Sequence, residues 1–299
     1  MMTRIDLRRL LAAAATLAIA GTAQAAEPVV HELDIGGLTA VGDWVAADDA
    51  AADAPVVLLL HGTLAHKDQE LIATLQDALA ERGISSLAPS LTLGMDRREG
   101  MYDCAVPFRH THEDAVAELV AWADWLQAQG HSRIIVAGHS RGGNQVSLFA
   151  RAYPDRVERL VAIAPAVGHD DAERDRRYRA RYNADRTAVL ASAGQGDALV
   201  PVPGIVYCAN TSATPAAVRS YLGGRFEDMD SPSVIAKLPM PVLVIAGSAD
   251  TTVPEVPARL ADIATGDRVR LEVIEDAGHM FLDFYTEDAA DLIAEFIGE

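Results

Sequence analysis

From Val56 onward the chain alternates short strand-like runs, several of them wholly apolar, with segments of helical periodicity. The runs are Val56–Leu60, Ile84–Leu87, Arg133–Ala137, Leu160–Ala164, Val242–Ala246 and Val269–Ile274. A strand such as Val56–Leu60, apolar at every position, must be covered on both faces. Between the runs, helices are predicted over 68–82, 113–129, 142–153 and 286–297. Leu71, Leu75 and Leu79 share one face of the first, and Gly83 stops it. Thr111 and Asp114 resemble a capping box at the start of the second, and Gly130 ends it. Such alternation builds an α/β fold: a mostly parallel central sheet with helices on both faces. Two extended runs, Val29–Ile35 and Leu38–Ala46, precede it and are joined by the hairpin turn Gly36-Gly37. One interval breaks the rhythm. Between Ala164 and Val242 no core-type strand is evident, so about 166–237 reads as a lid inserted before the penultimate strand. It would lie over the carboxyl ends of the strands, where open α/β sheets bind ligands.

Gly138-His139-Ser140-Arg141-Gly142 sits where the strand Arg133–Ala137 meets the helix that follows. A G-x-S-x-G pentapeptide between a strand and a helix is a tight turn that lifts the serine hydroxyl above the sheet. The glycines avoid side-chain collisions, and the helix N-terminus favours negative charge there. Ser140 is therefore the candidate nucleophile. A hydroxyl needs a base. His279, in Ala277-Gly278-His279 after the last strand, is the candidate. Asp250, in the loop after the preceding strand, is placed to fix the tautomer of that histidine. Asp170 and Asp197 compete as acids, and His61, His110 and His112 as bases, all from less suitable positions. Two backbone N–H groups are needed for a developing oxyanion. Arg141 supplies one, and the loop His61-Gly62-Thr63-Leu64 supplies the other from Thr63 or, alternatively, Leu64. His61 reads as a brace for that loop.

His61-Gly62, the Gly138–Gly142 turn, the segment Val242–Asp250 and Gly278-His279 together resemble the α/β-hydrolase superfamily, whose chain order is nucleophile, acid, histidine. The resemblance runs from about Val56 to the C-terminus. It implies the α/β-hydrolase fold and a serine hydrolase acting on a small-molecule carboxylic ester through an acyl-serine. Lipase/esterase and dienelactone-hydrolase branches are the nearest analogies. Serine rather than cysteine argues against the second. It also argues against dehalogenases and epoxide hydrolases, which place an aspartate at the turn. A thioesterase, a lactonase, an acyltransferase using the same residues, and a non-catalytic binding protein remain as alternatives. No ligand cluster or phosphate loop implies a metal or an organic cofactor.

Forty-three acidic against 25 basic side chains, a net charge of −18, disfavour nucleic acid and anionic membranes as partners. Residues 1–25 read as a signal peptide. Arg4, Arg8 and Arg9 are followed by the apolar run Leu10–Ala20 and by Ala23-Gln24-Ala25. That run is too short to span a bilayer, and no second span follows. A periplasmic or secreted protein is expected, and its two cysteines, Cys104 and Cys208, would then pair. In the lid, Arg174, Arg176, Arg177, Arg179, Arg181 and Arg186 interleave with Glu173, Asp175 and Asp185. They read as a solvated, salt-bridged helix or as a docking patch for an acidic substrate group. Tyr178 and Tyr182 either line the pocket or pack the lid down.

Overall fold

The computed structural model describes residues 27–299 except 49, 52, 265 and 267, so the expected signal peptide lies outside the described residues. β1 (Val29–Ile35) and β2 (Leu38–Val45) form the hairpin, with Gly36 and Gly37 both at positive φ in its turn. Then come β3 (Val56–Leu60), α1 (Glu70–Glu81), β4 (Ser86–Ser90), α2 (Asp114–Ala128), β5 (Ile134–His139), α3 (Arg141–Ala152) and β6 (Arg159–Ile163). The inserted segment carries α4 (Asp171–Tyr182), α5 (Arg186–Ser192), β7 (Val200–Ile205), β8 (Cys208–Ala213), α6 (Pro215–Gly223), α7 (Phe226–Met229) and α8 (Ser231–Ile235). β9 (Val242–Gly247), α9 (Val256–Ala261), β10 (Val269–Ile274) and α10 (Phe284–Gly298) complete the chain.

Eight strands form one sheet in the order β1-β2-β4-β3-β5-β6-β9-β10. Only the pairings of β2 with β1 and β4 are antiparallel. The strict two-residue period of strands divides the core. Val56, Leu58 and Leu60 face the side that holds Leu119, Trp122 and Phe149 of α2 and α3. Val57 and Leu59 face Leu71, Leu75 and Leu79 of α1 and Ile293 of α10. Leu58, Leu59 and Leu60 are fully buried, each contributing roughly 1.5–3 kcal/mol of burial free energy.

The pattern misplaces one strand. The strand expected over Ile84–Leu87 starts at Ser86 instead, and β4 continues through Ala88-Pro89 to Ser90. Pairing with β3 stops at Leu87, so the N–H that Pro89 lacks costs no bond on that side. The insertion does hold strands, but in a satellite hairpin rather than in the core: among the described residues β7 and β8 pair with each other and with no strand of the eight-stranded sheet. Disulfide-bonded Cys104 and Cys208 tie that hairpin to the loop after β4, beside a bridge between Phe108 and Ala213. Among the described residues no helix is long and apolar enough to cross a membrane.

Candidate active site

Sheet register sets the level of the site. Leu60, the last residue of β3, lies opposite Gly138 of β5, so the loop beginning at His61 and the turn at Ser140 leave the sheet close together. His139 pairs with Ile163, Ile163 with Ile245, and Gly247 with Ile274. Asp250 and His279 therefore leave the same carboxyl edge. β10 lies three strand spacings from β5, about 14 Å. The loop after β10 closes that gap by folding back over the end of β9. A Cβ on Gly247 would sit 2.3 Å from the Ala277 carbonyl oxygen, so only glycine lets the loop cross there. Ala249 N–H then donates to Ala277 O at 3.0 Å.

Ser140 occupies the turn between β5 and α3 at φ 53°, ψ −118°. A Cβ on Gly138 would lie 2.5 Å from the Gly142 carbonyl, and one on Gly142 would lie 2.3 Å from His61 O. No side chain fits at either position. The strained serine is held by Ser140 N–H donating to Ile163 O at 2.8 Å and by Ala166 N–H donating to Ser140 O at 2.9 Å.

The three side chains singled out by sequence come together. Ser140 Oγ is 3.1 Å from His279 Nε2, and His279 Nδ1 is 2.8 Å from Asp250 Oδ2. An ionised carboxylate only accepts, so Nδ1 carries the proton and Nε2 is free to accept from the serine. Asp250 Oδ1 accepts from the Thr252 and Val253 amides at 2.7 and 3.0 Å. Burial works against the charged carboxylate. The hydrogen bonds from His279 and from those two amides outweigh it and hold Asp250 below the usual aspartate range.

Thr63 and Arg141 flank the serine. Among the described residues the N–H groups of Thr63, Leu64 and Arg141 have no protein acceptor. Leu64 has a left-handed φ of 58°. The loop rests on His61, whose Nδ1–H donates to Gly62 O at 2.8 Å while Nε2 accepts from Leu91 N–H at 3.1 Å. Buried Arg98 also points Nη2 at His61 Nε2, 3.2 Å away. Burial and that neighbouring cation push the His61 pKa down to about 3, so it stays a neutral brace.

The competing candidates lie elsewhere. Asp170 caps α4, and Asp197 is exposed. His110 pairs with the Tyr221 hydroxyl at 2.8 Å, and His112 Nε2–H donates to Asn144 Oδ1 at 2.8 Å. One residue of the site was not singled out by sequence. His139 is buried behind His279, their ring centroids 4.8 Å apart, and its Nε2–H donates to the His279 carbonyl at 2.9 Å. Burial, with His279 beside it, lowers the His139 pKa to about 4. Its position inside the pentapeptide was the available signal.

A cavity of about 870 Å³ opens onto Ser140, Thr63 and Arg141 and is roofed by the insertion. Tyr178 and Tyr182 do both things open to them. They line the cavity, and their hydroxyls donate to Gly204 O and Val206 O of the satellite hairpin. The α4 arginines likewise form both salt bridges and part of the cavity wall.

Several known proteins are similar to this chain. Est1E from Butyrivibrio proteoclasticus, solved with ferulic acid bound, superposes with a TM-score of 0.63 at 20% identity, covering 89% of this chain and 97% of that one. A dienelactone hydrolase from Anabaena variabilis gives 0.58 at 18% identity, covering 92% and 98%. A rice (Oryza sativa subsp. japonica) protein described as a probable 1-acylglycerol-3-phosphate O-acyltransferase is 25% identical over 144 residues, 48% of this chain and 33% of that protein. The two structures share the fold. The matched stretch spans only about a third of the rice protein. The sequence profile of the alpha/beta hydrolase family matches residues 57–296, from the first parallel strand into the last helix, and the chain belongs to that family.

Proposed function

We propose that this protein is a serine hydrolase that cleaves a carboxylic ester through an acyl-serine intermediate. The observation that carries the reading is the continuous hydrogen-bond chain from Ser140 through His279 to Asp250, with Ser140 on the wall of a cavity. His279 Nε2 takes the Ser140 proton as Oγ attacks the ester carbonyl. The tetrahedral oxyanion is met by the Thr63 and Arg141 amides. His279 returns the proton to the leaving alcohol, and Asp250 stabilises the imidazolium without taking a proton itself. Water, activated by the same histidine, then releases the acid. The test is labelling by a fluorophosphonate together with turnover of p-nitrophenyl esters from C2 to C16. Wild type is expected to label and turn over, and Ser140→Ala to do neither. An unlabelled, inactive wild type overturns the reading.

The similarity to a protein described as an acyltransferase favours a second reading, in which an alcohol other than water accepts the acyl group. Product analysis with added alcohols separates the two. We also propose export to the periplasm or medium. The basic-apolar-small pattern of residues 1–25 and the Cys104–Cys208 bond support it. N-terminal sequencing of the exported form is expected to begin at Ala26. Retention of the whole chain in the cytoplasm counts against it.

A further inference from the structure

The cavity wall beside Ser140 carries six arginines, Arg141, Arg174, Arg176, Arg177, Arg181 and Arg186, and no aspartate or glutamate. The chain as a whole has 43 acidic against 25 basic side chains, so the cavity reverses the composition of the molecule. Four of these arginines are balanced by four carboxylates outside the wall, one of them Glu255, which lies 3.4 Å from Arg177. Asp171 pairs with Arg174, and Glu173 with Arg176 and Arg177. Asp171 and Asp175 pair with Arg186.

Arg141 and Arg181 are not balanced. Among the described residues neither forms a salt bridge with a carboxylate. Arg141 Nε donates to Thr63 Oγ1 at 3.2 Å, and its guanidinium lies 5.7 Å from the Tyr221 ring centroid. Arg181 reaches Val206 O at 3.3 Å and lies 5.0 Å from the Tyr207 ring centroid. The rings position these guanidiniums without neutralising them. Each guanidinium has five N–H donors, so most remain for a ligand. A planar fork of donors with full charge matches an oxyanion.

We propose that the substrate is an ester carrying a second, ionised oxygen group, a carboxylate or a phosphate, recognised by Arg141 and Arg181. This rests on the hydrolase reading above and names its substrate class. The charge lies on a part of the substrate that does not react, so its binding energy orients the ester over Ser140.

The test uses matched probes that differ in charge. On the acyl side, 4-nitrophenyl hemiadipate is compared with the 4-nitrophenyl ester of adipamic acid. On the alcohol side, 4-carboxyphenyl acetate and 4-acetoxyphenyl phosphate are compared with 4-carbamoylphenyl acetate. The full-length protein is expected to favour at least one anionic probe by about tenfold or more in kcat/KM, the scale of a charge-assisted hydrogen bond. The preferred arm distinguishes carboxylate from phosphate and the acyl side from the alcohol side. Arg141→Gln combined with Arg181→Gln is expected to lower that ratio by about tenfold. Because the ratio is taken within one preparation, losses of folded protein or of serine reactivity cancel. Equal or reversed preference in every arm, or a ratio unmoved by the double variant, overturns the proposal. If no probe of either charge is turned over and the fluorophosphonate does not label Ser140, the hydrolase reading itself fails and this proposal falls with it.

Discussion

Ser140 sits at a backbone conformation that side-chain-bearing residues rarely adopt, and the surrounding hydrogen bonds keep it there. Removing its hydroxyl leaves those backbone bonds intact. Ser140→Ala is therefore expected to lose on the order of 10⁶ in turnover while keeping its thermal midpoint. Near wild-type turnover by that variant would exclude Ser140 as the nucleophile. Asp250→Asn is expected to cost less, about 10⁴, because it leaves the histidine in place with the wrong tautomer. Asp250 also ties function to stability. Its folded pKa lies below its unfolded value, so its contribution is present above the ordinary aspartate range and is lost as pH falls through the folded value. Denaturant midpoints measured through the acid range should fall less steeply in Asp250→Asn than in wild type.

Among the elements, the β5–α3 turn tolerates little change. A methyl group on Gly142 would overlap His61 O, and one on Gly138 would overlap the Gly142 carbonyl. Both contacts are backbone to backbone, so no rotamer change can relieve them. Gly142→Ala is expected to destabilise by about 1–3 kcal/mol or more. It should also reduce kcat by separating the Arg141 amide from the Thr63 loop. Urea denaturation and steady-state kinetics on one preparation check both effects, and an unchanged urea midpoint would contradict the packing argument. The same logic explains Gly247, where the loop bearing His279 crosses β9.

Across the whole molecule, buried histidines set the response to acid. His61 and His112 are pushed down to about 3, and His110 and His139 to about 4, all chiefly by burial. A histidine with a depressed folded pKa favours the folded state above its unfolded pKa near 6.5 and loses that contribution as pH falls toward 3–4. Glu118 runs the other way. Burial raises it to about 7, although Thr92 donates to its carboxylate. Unfolding between pH 6 and 5 should therefore take up about three protons, each worth about 1.4 kcal/mol per pH unit when fully developed. Stability is expected to drop over that interval, and His112→Gln should remove about one of those protons. A urea midpoint flat from pH 7 to 5 would contradict this. The Cys104–Cys208 bond acts over longer range. Its separation of 104 residues allows at most about 4–5 kcal/mol through the entropy of the unfolded chain. Reduction, verified by alkylation of both thiols, is expected to lower the thermal midpoint. No change would mean that packing alone holds the satellite hairpin.

The parallel sheet and the Ser140 turn were legible from residues alone because both are written locally. An apolar run such as Val56–Leu60 states its own burial, and two glycines around a serine state that backbone must approach backbone. Asp250 and His279 could be named because each follows a strand by a few residues, and parallel register carries those ends to one edge. The insertion was legible only as an interruption. Its strands contain Pro201, Pro203 and several polar residues, and they form a hairpin outside the core sheet, so no period marks them. Two cysteines allow only one intramolecular pairing, but only the packed hairpin brings Cys208 against the loop that holds Cys104. The same holds for the cavity. The arginines of α4 are visible in sequence, and so is Arg141. That they share a wall free of carboxylates, with Arg141 and Arg181 left unbalanced, depends on which helix face turns inward and which acids turn away. Local pattern records what each segment must bury, whereas the proximity of segments tens of residues apart is decided only when the whole core packs.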